Sequence, residues 1–220
     1  MKRSILFVYL TLLSILLSID RLSAEEWFKV KWVNDGDTIV LMDGRQIRYI
    51  GINAPEIKHS EPVQKAQPYG YTASNFNKKL VFTKIVHLEF DKERYDQYGR
   101  LLAYVFLTDG TFVNAKMLEK GYAYYLPRKP NSKYNEVLLQ SQRRAMVAKN
   151  GIWSTWKEKK VRYLGNIRSQ RFHISECPFG KKTGEKNRVF FSRKWDAFWA
   201  GFAPCTKCLD MDYYPLIPEP

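Results

Sequence analysis

Cysteine is scarce: the 220-residue chain has three, Cys177, Cys205 and Cys208, all in its last fifth. An odd, clustered set cannot supply a disulfide framework, so covalent bracing of the whole fold is excluded. Acidic residues are also few, 22 Asp and Glu against 36 Lys and Arg, for a formal net charge of +14. Such an excess points to a polyanionic partner, either nucleic acid or an anionic membrane surface. Long hydrophobic runs are missing. The longest apolar stretch, residues 5–19, falls short of the roughly 20 residues that span a bilayer. There is no Walker loop, no Rossmann fingerprint, no nucleophile elbow and no long heptad array, which removes the enzyme classes built on them. Internal repeats and low-complexity tracts are absent too.

What is present fits a packed, basic protein. Apolar residues make up 45% of the chain, enough for a core. Fourteen Tyr, thirteen Phe and six Trp lie among the Lys and Arg, a mixture that suits single-stranded nucleic acid. A basic exported protein with an aromatic core is the plainer reading of the same composition. Lys2 and Arg3 precede the apolar run, and "RLSAEE" offers cleavage after Ala24, so residues 1–24 read as a signal peptide for secretion or periplasmic export. Leu22 occupies a position where a small residue is preferred, so an uncleaved anchor is the alternative. No other stable membrane insertion and no protein partner are expected.

Hydrophobic periodicity predicts strands in "FKVKWV", "TIVLM" and "RQIRYIGI", with Asp35-Gly36 and Asp43-Gly44 as the turns between them. A helix is predicted over 69–82 with Ala73, Phe76 and Leu80 inward. Strands are predicted at 84–90 and 101–106, and Asp109-Gly110 is a third turn. Asn114 is the expected N-cap of a short helix ending at Gly121. "YAYYL" reads as extended. A last amphipathic helix is predicted over 132–149, with Leu138, Ser141, Ala145 and Ala148 on its packed face. Five short strands with helices inserted late suit a small closed barrel, an α+β OB-fold.

Phosphodiester hydrolysis needs positive charge on the phosphate, a positioned water and a group to take its proton. Asp37 after the first turn, Arg48 within a strand, Glu56 at a strand exit and Arg100 before a strand supply those parts. Singly, each also reads as a turn, loop or strand-edge charge.

Taken together, "DGDT" (35–38), "RYIGINAPE" (48–56), "YDQYGRLLAYVF" (95–106), "NAKMLEKGYA" and "AKNGIWS" resemble the staphylococcal nuclease (thermonuclease) family, from about Phe28 to Trp153. The resemblance implies an OB-fold and calcium-dependent endonucleolytic cleavage of DNA and RNA that leaves 3′-phosphates. It implies Asp37 as a calcium ligand and the carbonyl of Ala54 as another. Arg48 and Arg100 become the phosphate-binding arginines, and Glu56 the general base or water-orienting carboxylate. Asn53 stands where the family has a second metal-binding Asp. Its amide oxygen can still ligate a hard cation, but one negative charge is lost and weaker calcium binding is expected. Gln97 replaces a Lys that contacts a terminal phosphate. Tyr124 and Tyr125 lie near the family's nucleotide-stacking tyrosines, and no role is transferred to them. Tyr98 is expected to pack beside Arg100. A non-catalytic nucleic-acid-binding protein on the same scaffold is the second expectation.

In the tail, His173-x₃-Cys177 followed by Cys205-x₂-Cys208 is a zinc pattern, and Cys₃His is an accepted tetrahedral set. Residues 170–212 are too few to stabilise themselves by burial, so a metal staple is expected. A Cys205–Cys208 disulfide is the alternative, though it leaves Cys177 unused. Ser192 is the expected cap of the helix in "RKWDAFWA". The segment resembles the Ada-type zinc-binding domain through "NRVFF" and "AGFAPCTKC". His173 fills the position of that domain's methyl-accepting cysteine, so methyl transfer is not implied. The expected layout is signal peptide 1–24, nuclease-like domain 25–154, basic linker 155–169, zinc module 170–212 and tail 213–220. His59 and His87 have no partner at metal spacing and read as surface or satisfied side chains.

Overall fold

The computed structural model describes residues 26–57, 66–158 and 161–209. The export segment 1–24, His59 and the tail 213–220 lie outside the described residues.

Strands β1 (Trp27–Val33), β2 (Thr38–Leu41), β3 (Gln46–Tyr49), β5 (Ile85–Glu89) and β6 (Leu101–Leu107) close a barrel in the order β1-β2-β3-β6-β5. This is the five-stranded barrel expected of an OB-fold. β4 (Ile52–Asn53) pairs outside it with β7 (Tyr124–Tyr125). Alternation along β1 breaks once. A bulge between Val30 and Trp32 turns Val33 inward and leaves Trp32 half exposed. The hairpin between β2 and β3 turns at Asp43-Gly44. There Gly44 has φ +88, a conformation that costs other residues a Cβ clash. Asp43 pairs only with Arg45, its neighbour in the turn (2.6 Å), so that Asp-Gly pair is turn chemistry and nothing more.

Helix α1 (Gly70–Val81) covers one end of the barrel and buries Ala73, Asn77 and Val81. Phe76 and Leu80, the expected inward residues, are only partly buried against the core. The helix instead inserts Asn77. That amide donates to the Asp35 carbonyl (2.9 Å) and accepts from the Tyr49 hydroxyl (3.0 Å), tying helix, turn and β3 together.

Helix α2 (Val113–Glu119) starts one residue before Asn114, which is therefore not its cap. Asn114 is fully buried; it accepts from the Val105 N–H (3.0 Å) and donates to the Ile50 carbonyl (2.9 Å). Truncating it strands both backbone groups in the core. Asn114→Ala should lower unfolding free energy by about 3 kcal/mol, read by chemical denaturation.

Helix α3 (Asn135–Val147) buries Leu138, Ser141, Gln142, Ala145 and Met146. The buried stripe runs through Met146 and leaves Ala148 exposed. Ser141 satisfies its hydroxyl on the Val137 carbonyl (2.8 Å). His87 on β5 packs between the rings of Trp27 and Phe106, and its Nδ1 has no hydrogen-bond partner among the described residues, so it is half-buried rather than satisfied.

The C-terminal residues form a second sheet, order β10-β8-β9-β11, from β8 (Tyr163–Asn166), β9 (Arg171–Ile174), β10 (Arg188–Phe191) and β11 (Ala203–Pro204). Short helices α4 (Pro178–Lys181) and α5 (Lys194–Trp199) complete it. β8 falls inside the stretch read from sequence as a linker, and it pairs with both β10 and β9. The start of α5 is not satisfied by Ser192. Glu158 reaches across and accepts from the backbone N–H groups of Lys194 (3.2 Å) and Trp195 (3.0 Å).

The two sheets share a hydrophobic core. Tyr124, Ala145, Met146, Ile152 and Trp153 from the first meet Tyr163, Phe172, Phe198 and Phe202 from the second. Gln142 fastens the seam, accepting from the Tyr125 N–H (2.7 Å) and donating to the Phe198 carbonyl (2.8 Å). Among the described residues no helix is long and apolar enough to cross a membrane.

Candidate active site

Asp37 follows the β1–β2 turn. Its N–H donates to the Asp35 carboxylate (2.9 Å), which sets the turn. Gly36 permits the turn's position rather than its φ. A Cβ there would stand 2.5 Å from the Ala54 Cβ and 2.9 Å from the Ala73 Cβ, so only glycine lets the turn lie against the β4 exit. Asp37 is 5% exposed. One carboxylate oxygen accepts from the Ala54 N–H (2.7 Å) and from Arg48 (3.0 Å), and the other from the Thr38 hydroxyl (3.1 Å). Burial pushes its pKa up to about 6, with Asp35 adding to the rise, against the lowering effects of Arg48 and the Ala54 N–H.

Arg48 sits opposite Thr38 in the β2–β3 ladder. One terminal nitrogen donates to the carbonyls of Tyr49 (2.7 Å) and Ile52 (2.9 Å). The other meets Asn53 Oδ1 (2.9 Å) and Asp37 (3.0 Å). The fork thus holds the 49–53 bend in shape. Asn53 passes the network on, its Nδ2 donating to the Ala54 carbonyl (3.3 Å) and the Tyr124 hydroxyl (3.1 Å). The side-chain oxygen expected to face a cation is engaged by Arg48.

Glu56 lies three residues beyond Asn53 and is partly exposed. Its backbone is clamped: the N–H donates to the Gln67 side chain (2.9 Å) and the carbonyl accepts from the Gln67 N–H (2.8 Å). A Cβ on Gly70 would come within 2.4 Å of that carbonyl, so glycine at the start of α1 lets the helix close over the loop.

Arg100 precedes β6. In the parallel β3–β6 pairing Arg48 stands opposite Leu102, which puts Arg100 two residues earlier on the same side of the pleat. Asp96 holds Arg100 through Nε (2.7 Å) and also accepts from its backbone N–H (3.0 Å). The guanidinium lies 5.4 Å from the ring centre of Tyr98, which is 74% exposed. Asp96, Gln67 and Asn77 are not among the residues the sequence singles out. Asp96 alone has a legible signal, as an acidic residue opening the turn "DQYGR" four positions before the arginine. Tyr124 and Tyr125 are each 2% exposed, so neither presents a ring face to solution.

The tail residues converge as well. His173 comes from β9, Cys177 caps α4, and Cys205 and Cys208 follow β11; their ligand atoms all lie within 4.8 Å of one another. Tetrahedral zinc with sulfur ligands at about 2.3 Å needs donors roughly 3.8 Å apart, so the set fits the ion. Gly180 allows this approach, since a Cβ there would be 2.9 Å from the His173 Cβ. All three cysteines are free thiols. Burial lowers the His173 pKa, keeping the imidazole neutral as a ligand requires.

The family model of staphylococcal nuclease homologues matches residues 46–155. Over 134 residues, 59% of this chain and 77% of the relative, the chain is 44% identical to a thermonuclease of Staphylococcus hyicus. A thermonuclease of Staphylococcus intermedius is 44% identical over 132 residues, covering 58% of this chain and 76% of that protein. An endonuclease of Bacillus subtilis is 42% identical over 129 residues, 54% of this chain and 58% of that protein. The family match ends before β8, so the second sheet has no part in it.

Proposed function

The chain belongs to the staphylococcal nuclease homologue family, and we propose on that footing that it is an exported, calcium-dependent endonuclease hydrolysing DNA, with RNA as a second substrate. One observation carries the reading. The Asp37 carboxylate touches Arg48 and the Ala54 N–H at once (3.0 and 2.7 Å), so carboxylate, guanidinium and the exit toward Glu56 form one unit.

Asp37, the Ala54 carbonyl and the Asn53 amide oxygen make a hard-oxygen set of the kind calcium takes, with one negative charge among them. Bound there, the ion would neutralise a phosphate oxygen and hold the attacking water. A cation drawing on Asp37 and Asn53 competes with Arg48 for both. That frees Arg48 to donate to the scissile phosphate, with Arg100 as the second donor. Glu56 takes a proton from the water as its oxygen forms the new bond to phosphorus. The bond to the 5′-oxygen breaks, leaving a 3′-phosphate. Residues 1–24 serve as the export signal in this reading. The His173–Cys177–Cys205–Cys208 cluster holds structural zinc in a module that starts at β8.

The engagement of Asn53 by Arg48 favours a second reading, a nucleic-acid-binding protein without catalysis. Zinc-loaded protein incubated with supercoiled plasmid and single-stranded DNA, with calcium and without it, separates the two. Nicking and degradation that require calcium are expected. Binding without any calcium-dependent cleavage would replace the nuclease reading with the second one.

A further inference from the structure

Arg171 lies on β9 two residues before His173, hence on the same side of the pleat, while Phe172 between them is buried in the shared core. Its side chain is half-buried, and among the described residues it makes no hydrogen bond and pairs with no carboxylate. That is unusual, because a partly desolvated guanidinium ordinarily has an acidic partner. The groups that act on its charge are Tyr124, Cys205 and Arg128. Arg128 already spends its Nε on Glu93 (2.9 Å). Tyr124 locates Arg171 relative to the active site. Its hydroxyl bonds Asn53 (3.1 Å), Asn53 bonds Arg48 (2.9 Å), and Arg171, Arg48, Asp37 and Glu56 all act on that hydroxyl.

The second sheet therefore carries an acid-free guanidinium to the edge of the candidate active site, with another guanidinium beside it. Burial and the charge of Arg128 both lower the Arg171 pKa, the expected cost of two cations facing one another without an anion. A phosphate relieves that cost and accepts from both forks.

We propose that Arg171 is a phosphate-binding residue of the nuclease site, contributed by the C-terminal module and contacting a backbone phosphate of the bound nucleic acid next to the scissile one. The proposal rests on the nuclease reading for the identity of its ligand. A counter-charge role toward zinc thiolates, through Cys205, is the structural alternative.

The test uses the Glu56→Gln protein, loaded with zinc, and a fluorescent single-stranded oligonucleotide titrated at several salt concentrations. Arg171→Gln and Arg171→Met should each weaken binding about tenfold and lower the magnitude of the log–log salt slope by about 0.7, one phosphate contact. Arg171→Lys should keep the slope, because the charge remains. Lys186→Gln, on the exposed turn before β10, should change neither. An unchanged slope in both the Gln and Met variants overturns the proposal, and loss of zinc with that unchanged slope assigns Arg171 to the thiolates. Loss of the near-ultraviolet circular dichroism signal in both variants assigns it to the fold and also overturns the proposal. Cleavage by the protein with native Glu56 is measured separately. Cleavage with no Arg171 effect sinks the Arg171 proposal alone. A slope change without cleavage sinks the nuclease reading and leaves Arg171 as a nucleic-acid contact.

Discussion

Glu56→Gln should slow calcium-dependent cleavage by roughly 10²–10⁴-fold while nucleic-acid affinity stays near wild type. The substitution is isosteric. Moreover, the loop around it is fixed through its backbone, by Gln67 on both sides of the peptide and by the close approach of Gly70. The amide keeps the geometry and loses the capacity to accept the water's proton. Arg48, Arg100 and Asp37 are untouched, so phosphate binding persists and the loss falls on kcat rather than on KM. Single-turnover cleavage of a labelled oligonucleotide at saturating calcium isolates the chemical step. Full activity in this variant would remove Glu56 from the mechanism and reduce it to a loop carboxylate.

The second large effect is on stability. Cys205→Ser should abolish zinc retention and open the second sheet, because structural zinc supplies on the order of 10 kcal/mol of folding free energy to a small module. The consequence should cross the seam. Phe198 packs its ring against Tyr124 (5.8 Å) and against Trp153 (5.2 Å), and Gln142 bonds its carbonyl. With the module open, those side chains of the barrel domain meet water. Burial currently pushes the Tyr124 hydroxyl pKa up to about 12 and leaves Asn53 as its partner. Loss of zinc should therefore be accompanied by red-shifted tryptophan emission and reduced cleavage. Metal analysis, fluorescence and activity on the same sample check this. A variant that loses zinc yet keeps wild-type emission and cleavage would show that the barrel domain stands by itself.

The legible parts of this protein were local. Asp43-Gly44 is readable as a hairpin because two short alternating runs flank it and the required φ belongs to glycine. The zinc cluster is readable because ligand spacing survives folding of the segments around it. The errors also share a cause. Alternation in "FKVKWV" predicts Trp32 inward, but one bulged residue reverses the pattern. Asn114 has cap chemistry in one dimension. In three, it sits where Val105 and Ile50 both lack a backbone partner. Ser192 lies in the right place for a cap, yet the carboxylate that takes the work comes from Glu158, 36 positions away.

By itself, the sequence determined the barrel strands, the residues Asp37, Arg48, Glu56 and Arg100, and the His173–Cys208 ligand set, since motif order and spacing are carried by the chain itself. Only the tertiary structure decided that Arg48 folds inward onto Asp37 and Asn53, that Tyr124 and Tyr125 are sealed, and that the second sheet shares a core with the first. Periodicity reports which side chains avoid water. It does not report what they meet instead, and here the surface that Phe198 and Arg171 meet ends at the active site.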